Sequence, residues 1–283
     1  MMHRAGRPDR LVSTVFLAEC FMVLCGVATY LATGMNAATR LLTTLAGAAS
    51  ILFVVCHGWR TLGGWRTAAL LALAATAGFL AELVSVNGHS LFGGAYHYPP
   101  GRWHGMIGGV PLAAAVFWAV FIYAGHAVVN AFQAFSRPSG TGGSGASPLS
   151  KLMLVPLLAA ADAGVVTTMD LYMDPITTLR GNWVWADGGA YFGVPVGNFM
   201  GWFAVSFVVC AIFRASGCFQ SGAPRTAGGF VHLTAGLSYL LLAVMFTVYS
   251  CSIRRFDIAL AGLAAMGPVS LLLPVCFFTS RSA

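Results

Sequence analysis

Eight carboxylates are all that the 283 residues carry, and three of them fall in one stretch, DLYMDPITTLRGNWVWADGGAYFGVPVGNFMGW, from Asp170 to Trp202. The same stretch holds five tryptophan or tyrosine rings and a run of glycines. Such a combination has a definite chemical use. A carboxyl in low-dielectric surroundings can keep its proton at neutral pH and act as a general acid, and aromatic faces stabilise the cation that protonation creates. Asp170 and Asp174 are one helical turn apart and share a face, with Asp162 within roughly 120° of Asp174. Glu82 stands in the last turn or so of a segment otherwise mostly made of Ala, Leu, Gly and Phe. An ionised group there is costly, so it faces the bundle interior, pairs, or takes up a proton. Glu82, Asp170 and Asp174 are therefore the candidate catalytic groups. Tyr96, Trp103, Trp183, Trp185 and Tyr191, with His97 beside them, are the candidate substrate-binding rings.

Each residue also has a plainer use. Asp162 suits an interhelical hydrogen bond, Asp187 before Gly188 suits a turn, and tryptophans and tyrosines gather at membrane interfaces in any case. The spacing of His89, His97 and His104 matches no zinc or di-iron motif, so no metal is expected, and interfacial hydrogen bonding or proton relay suits them better. The seven cysteines form no C-x-x-C pair and lie mostly in apolar segments, as structural thiols do.

The elements that position these groups follow from composition. Charged residues are 8% and hydrophobic residues 58% of the chain, which excludes an ordinary soluble domain. Long apolar runs without strict alternation favour helices over a transmembrane barrel. The expected fold class is all-α, a polytopic membrane bundle forming a single transmembrane domain over 1–283. About 20 apolar residues cross a bilayer, which predicts spans over 11–33, 41–57, 67–86, 107–132, 152–172, 194–213, 230–249 and 258–278. The N-terminal apolar run is too long for a signal peptide. Basic residues outside the spans favour the side of the termini, which predicts cytoplasmic ends and a multi-pass protein of the cell membrane. Arg254 and Arg255 oppose that count and leave seven spans or a re-entrant segment open. The net charge of +7 is scattered at segment ends and forms no nucleic-acid stripe.

An internal echo divides the chain. GVPLAAAVFW (109–118) and GVPVGNFMGW (193–202) share Gly-Val-Pro and a tryptophan seven residues past the proline, and each follows a glycine-rich aromatic loop containing Gly-Gly-Ala-Tyr, at 93–96 and 188–191. Proline is tolerated in the first turn of a helix, so each copy reads as a helix entry. The units 67–132 and 152–213 are expected to be a repeat joined by a Gly/Ser-rich linker, 136–150, with the two loops meeting over one cavity.

The run MDPITTLRGNWVWADGGAYFGVPVGNFMGW (173–202), with AELVSVNGHSLFGGAYHY (81–98) and the Gly-Val-Pro at 109, resembles the membrane-integral carotenoid hydratase family, which includes the bisanhydrobacterioruberin hydratase and γ-carotene 1′,2′-hydratase types. The resemblance covers 78–213 and is strongest in the second loop. It implies cofactor-independent addition of water across a terminal isopropylidene double bond of a carotene taken from the bilayer, with other carotenoid-pathway enzymes as candidate partners. On that reading Glu82 or Asp170 is the acid, Asp174 holds the water, and the rings cage the cation. The P-x-E-[ED] signature associated with heterodimeric lycopene cyclases is missing. A secondary transporter and a non-catalytic scaffold of a pigment-synthesis complex are the alternatives, because repeats and intramembrane carboxylates also describe carriers.

Overall fold

The computed structural model describes residues 7–89, 92–136, 148–218 and 227–282. Among them are eight long helices: α1 (Arg7–Thr33), α2 (Ala37–Thr61), α3 (Gly64–Val84), α4 (Leu112–Phe135), α6 (Val155–Leu179), α7 (Val196–Cys218), α8 (Gly229–Ser252) and α9 (Phe256–Ser282). The short α5 (Pro148–Met153) leads into α6. The all-α membrane class expected from hydropathy is what the chain adopts. Leu17, Phe21 and Leu24 on α1 and Leu271, Leu272 and Val275 on α9 point outward, an apolar belt that suits lipid. Residues 137–147, most of the expected linker, lie outside the described residues.

Among the described residues seven helices are long and apolar enough to cross a membrane, and α6 is not one of them. It carries Asp162, Asp170 and Asp174, all buried. Packing against α4, α7, α8 and α9 gives this polar helix protein neighbours instead of lipid. With α6 counted as a crossing, eight spans put the turn bearing Arg254 and Arg255 on the face opposite the termini. There Arg255 forks onto Asp257 at 2.9 and 2.8 Å.

Several boundaries differ from expectation by a few residues, and for two of them the structure shows the cause. α4 begins at Leu112 rather than Ile107, because β2 (Met106–Ile107) and β3 (Val110–Pro111) form a tight antiparallel hairpin ahead of it. α6 ends at Leu179 rather than near Tyr172 and runs straight through Pro175. An interior proline cannot donate to the carbonyl four residues back, here that of Leu171. The Tyr191 hydroxyl donates to that oxygen instead, at 3.1 Å, so the helix continues with its carbonyl satisfied.

The core is centred on α4 and α6, with α7 packed beside them. Trp118 and Trp202, the tryptophans at matching distance from the two Gly-Val-Pro turns, stack on each other with centroids 3.8 Å apart and planes 15° off parallel. A Cβ at Gly78 would lie 2.1 Å from the Trp118 side chain, so α3 approaches α4 closely only because that position is glycine.

Candidate active site

The two glycine-rich loops are joined to each other. β1 (Tyr96–His97) pairs antiparallel with β4 (Val184–Trp185), Tyr96 opposite Trp185 and His97 opposite Val184. The Ala186 amide donates to the Ala95 carbonyl at 2.8 Å. Backbones meet directly where Gly93 faces Gly197: a Cβ on Gly93 would stand 2.6 Å from the Gly197 Cα. The first glycine of each Gly-Gly-Ala-Tyr (φ 75° and 62°) and the glycine of each Gly-Val-Pro (φ 83° and 89°) take left-handed conformations that other residues rarely adopt. Farther along, the Trp103 indole donates to the Asn182 carbonyl at 2.8 Å and Arg102 donates to the Arg180 carbonyl at 2.5 Å. Each loop thus holds the other over the ends of α3 and α6.

Strand alternation sorts the β1 side chains. Tyr96 turns inward and is buried, and its hydroxyl donates to Glu82 Oε2. His97 turns out to the exposed face, so β1 does not carry it to the carboxyls. Tyr98 donates to the same Glu82 oxygen at 2.8 Å, and the Trp118 indole donates to Glu82 Oε1 at 3.1 Å. Burial, and then the neighbouring Glu82 carboxyl, push the Tyr96 and Tyr98 phenols well above the ordinary tyrosine range. Both remain donors across the working pH range.

Asp170 and Asp174 are fully buried one turn apart on α6 and are bridged by a single amide. Asn198 Nδ2, from the first turn of α7, donates to Asp170 Oδ2 at 2.8 Å and to Asp174 Oδ2 at 2.6 Å. Asp174 Oδ1 also accepts from the Trp183 indole at 2.5 Å and from the Thr178 hydroxyl at 3.1 Å. Asp170 Oδ1 has no partner although it is buried. Glu82 and Asp174 therefore each accept three donors, and Asp170 has one carboxyl oxygen uncommitted. Among the described residues the ion pairs lie elsewhere, at Arg60–Asp9, Arg214–Asp162 and Arg255–Asp257.

Rings surround this cluster. Tyr96 and Trp185 lie 4.6 Å apart, and Tyr98 has Trp103 and Trp183 each at 6.1 Å. Tyr191 packs on Phe199 at 5.1 Å, and burial with the nearby Asp170 pushes its phenol up. Trp103 and Trp183 also line the near end of a mostly apolar cavity of about 520 Å³ between α1, α2, α4, α6 and α8. The indole of Trp183 is thus shared between the cavity and Asp174.

Of the residues expected at the site, Glu82, Asp170, Asp174, Tyr96, Trp103, Trp183, Trp185 and Tyr191 come together, and His97 does not. Asp162 forms an interhelical fork with Arg214, at 2.5 Å on both oxygens, with His126 at 3.4 Å. A carboxylate oxygen of Asp162, a ring nitrogen of His126 and the Cys210 sulfur cluster closely enough to suit a metal, but the guanidinium already supplies the positive charge. Asn198 and Trp118 were not among the expected site residues. Asn198 stands in the third position after the second Gly-Val-Pro, the one amide in that helix entry, and this was the available signal.

No curated protein and no solved structure matches the chain. The family model described as carotenoid biosynthesis protein matches residues 35–272, well beyond the central segment that carried the resemblance. With that match spanning most of its length, the chain belongs to the carotenoid biosynthesis protein family.

Proposed function

We propose that the protein is a carotenoid hydratase, adding water across a terminal isopropylidene double bond of a carotene to give a tertiary alcohol. Carrying the reading is the Asp170–Asn198–Asp174 bridge, in which Asp170 keeps one buried oxygen without a partner. In this reading Asp170 delivers a proton to the less substituted alkene carbon, and the tertiary carbon takes the positive charge. Trp183, Trp185, Tyr96 and Tyr98 face that charge with their rings. A water attacks the cation and gives its proton to Asp174, and transfer between the two bridged aspartates restores the acid. Glu82, held by three donors, fixes the two tyrosines and contributes negative potential. No bond is oxidised or reduced. The apolar cavity ending at Trp103 and Trp183 suits the remaining polyene, whose end reaches the acids past the Trp183 indole.

Asp170→Asn keeps shape and removes the proton; general acids commonly contribute about 100- to 10,000-fold. Conversion of carotene should fall by that order in membranes containing normal amounts of the variant. Full activity of Asp170→Asn would remove Asp170 from the mechanism.

One observation favours a carrier instead: Glu19, near mid-length of α1, lines the same cavity. Proton-driven uptake of a polyene into proteoliposomes, with unchanged pigment in carotene-producing cells, would select that reading.

A further inference from the structure

Glu19 is the one acidic residue on the cavity wall, and nothing in the site above uses it. It is 3% exposed, and among the described residues it pairs with no cation. Its carboxyl faces Ser238 of α8, whose hydroxyl lies 3.0 Å from Oε1 and 3.1 Å from Oε2. A serine has one hydroxyl hydrogen, so it satisfies one of those oxygens at a time. Ser50 of α2 stands beside the same carboxyl, but its hydroxyl donates to the Ala46 carbonyl at 3.1 Å. A carboxyl group has more acceptor capacity than one serine hydroxyl fills, and Glu19 lines the cavity.

Depth matters as well. Glu19 lies 14 positions before the end of α1 at Thr33, or roughly 21 Å along the axis at 1.5 Å per residue. Ser50 and Ser238 are likewise near the middle of their helices. Water is scarce at that depth, and buried polar groups need partners. A hydroxyl fits this set because it donates to Glu19 and accepts from Ser238 or Ser50. An ammonium group would only donate and would leave the serine hydroxyls competing with it. The apolar walls around the trio, Val23, Phe53, Phe121 and Phe246 among them, suit a hydrocarbon chain.

We propose that Glu19, Ser50 and Ser238 form a hydroxyl-recognition site, and that the cavity binds isoprenoid alcohols in preference to the corresponding hydrocarbons. The hydroxyl sits on the Glu19 carboxyl and the chain extends toward Trp183. The polyene class comes from the family; the hydroxyl preference comes from the trio and does not depend on hydratase turnover.

Purified full-length protein in nanodiscs, titrated with an acyclic carotene and with its tertiary-alcohol counterpart, gives both affinities from quenching of tryptophan fluorescence. The wild type should bind the alcohol about tenfold more tightly, the scale of one buried hydrogen bond. Glu19→Leu should bind both ligands equally, and Ser238→Ala should retain part of the preference. Equal affinities in the wild type, or an undiminished preference in correctly folded Glu19→Leu, would overturn the proposal. Should Glu19→Leu fail to fold, Glu19→Gln and Ser238→Ala decide it: an unreduced preference in both overturns it. Binding is read without turnover, so a missing hydration product would count against the hydratase reading alone.

Discussion

At the scale of residues, carboxyls buried in oily helices were easy to notice, and their partners were not. Glu82, Asp170 and Asp174 stand out of the sequence because charge is expensive in lipid. Asn198 and Trp118 look ordinary in an apolar helix, and only folding brings them onto carboxylates 28 and 36 positions away. Glu19, midway along the expected 11–33 span, carries the same signal, but its partner lies 219 positions off. Tyr191, expected among the substrate rings, also donates to the carbonyl that Pro175 leaves free. Tyr191→Phe should therefore cost about 1–3 kcal/mol in thermal unfolding, the penalty of an orphaned buried acceptor. For Tyr96 the sign of the pH effect is fixed by its raised phenol, with burial the first cause and Glu82 the second. The unfolded chain releases this proton near the ordinary value of 10.0 while the folded protein keeps it. The stability it contributes is thus fully present below that pH and declines above it. Unfolding measured from pH 9 upward should fall less steeply in Tyr96→Phe than in the wild type.

At the scale of elements, the doubled Gly-Val-Pro and Gly-Gly-Ala-Tyr motifs pointed to two loops that belong together, and the β1–β4 pairing and the Trp118–Trp202 stack are contacts between them. We propose that 67–132 and 152–213 are copies of one unit; matching left-handed glycines support this. Two boundaries were not legible, because the 106–111 hairpin is made of residues as apolar as a helix, and because a proline usually marks a helix end where here a distant tyrosine rescues it. The contact between Gly93 and Gly197 makes a sharp prediction. Gly197→Ala puts a methyl group 2.6 Å from the Gly93 Cα, and overpacking of this kind costs about 1–3 kcal/mol. The variant should unfold earlier and lose activity together with loop pairing, whereas an alanine at Gly164, which meets nothing within 4 Å, should do neither. On α6, removal of Arg214 leaves Asp162 buried without its counter-ion. Arg214→Leu should destabilise by about 3–5 kcal/mol, and Arg214→Leu with Asp162→Asn should recover most of that.

At the scale of the molecule, hydropathy alone predicted the all-α class, since the bilayer enforces helices, and eight spans where seven of the described helices are apolar enough to cross. The central place of α6 was harder to see, because a helix too polar to face lipid is identified by its neighbours and not by its own composition. If α6 crosses with the other seven, both loops share the face away from the termini, and the basic-residue count predicts cytoplasmic termini. Reporter fusions at the two ends should give the same cytoplasmic reading. The central claim is that the paired aspartates and the rings around them hydrate a carotene end. Its most direct test is pigment analysis by mass spectrometry in a host that accumulates acyclic or monocyclic carotenes. Expression of the chain should yield pigment heavier by one water, and Asp170→Asn should leave the carotene unchanged. Unaltered carotene, with the wild-type protein correctly inserted and several carotenes supplied, would contradict it.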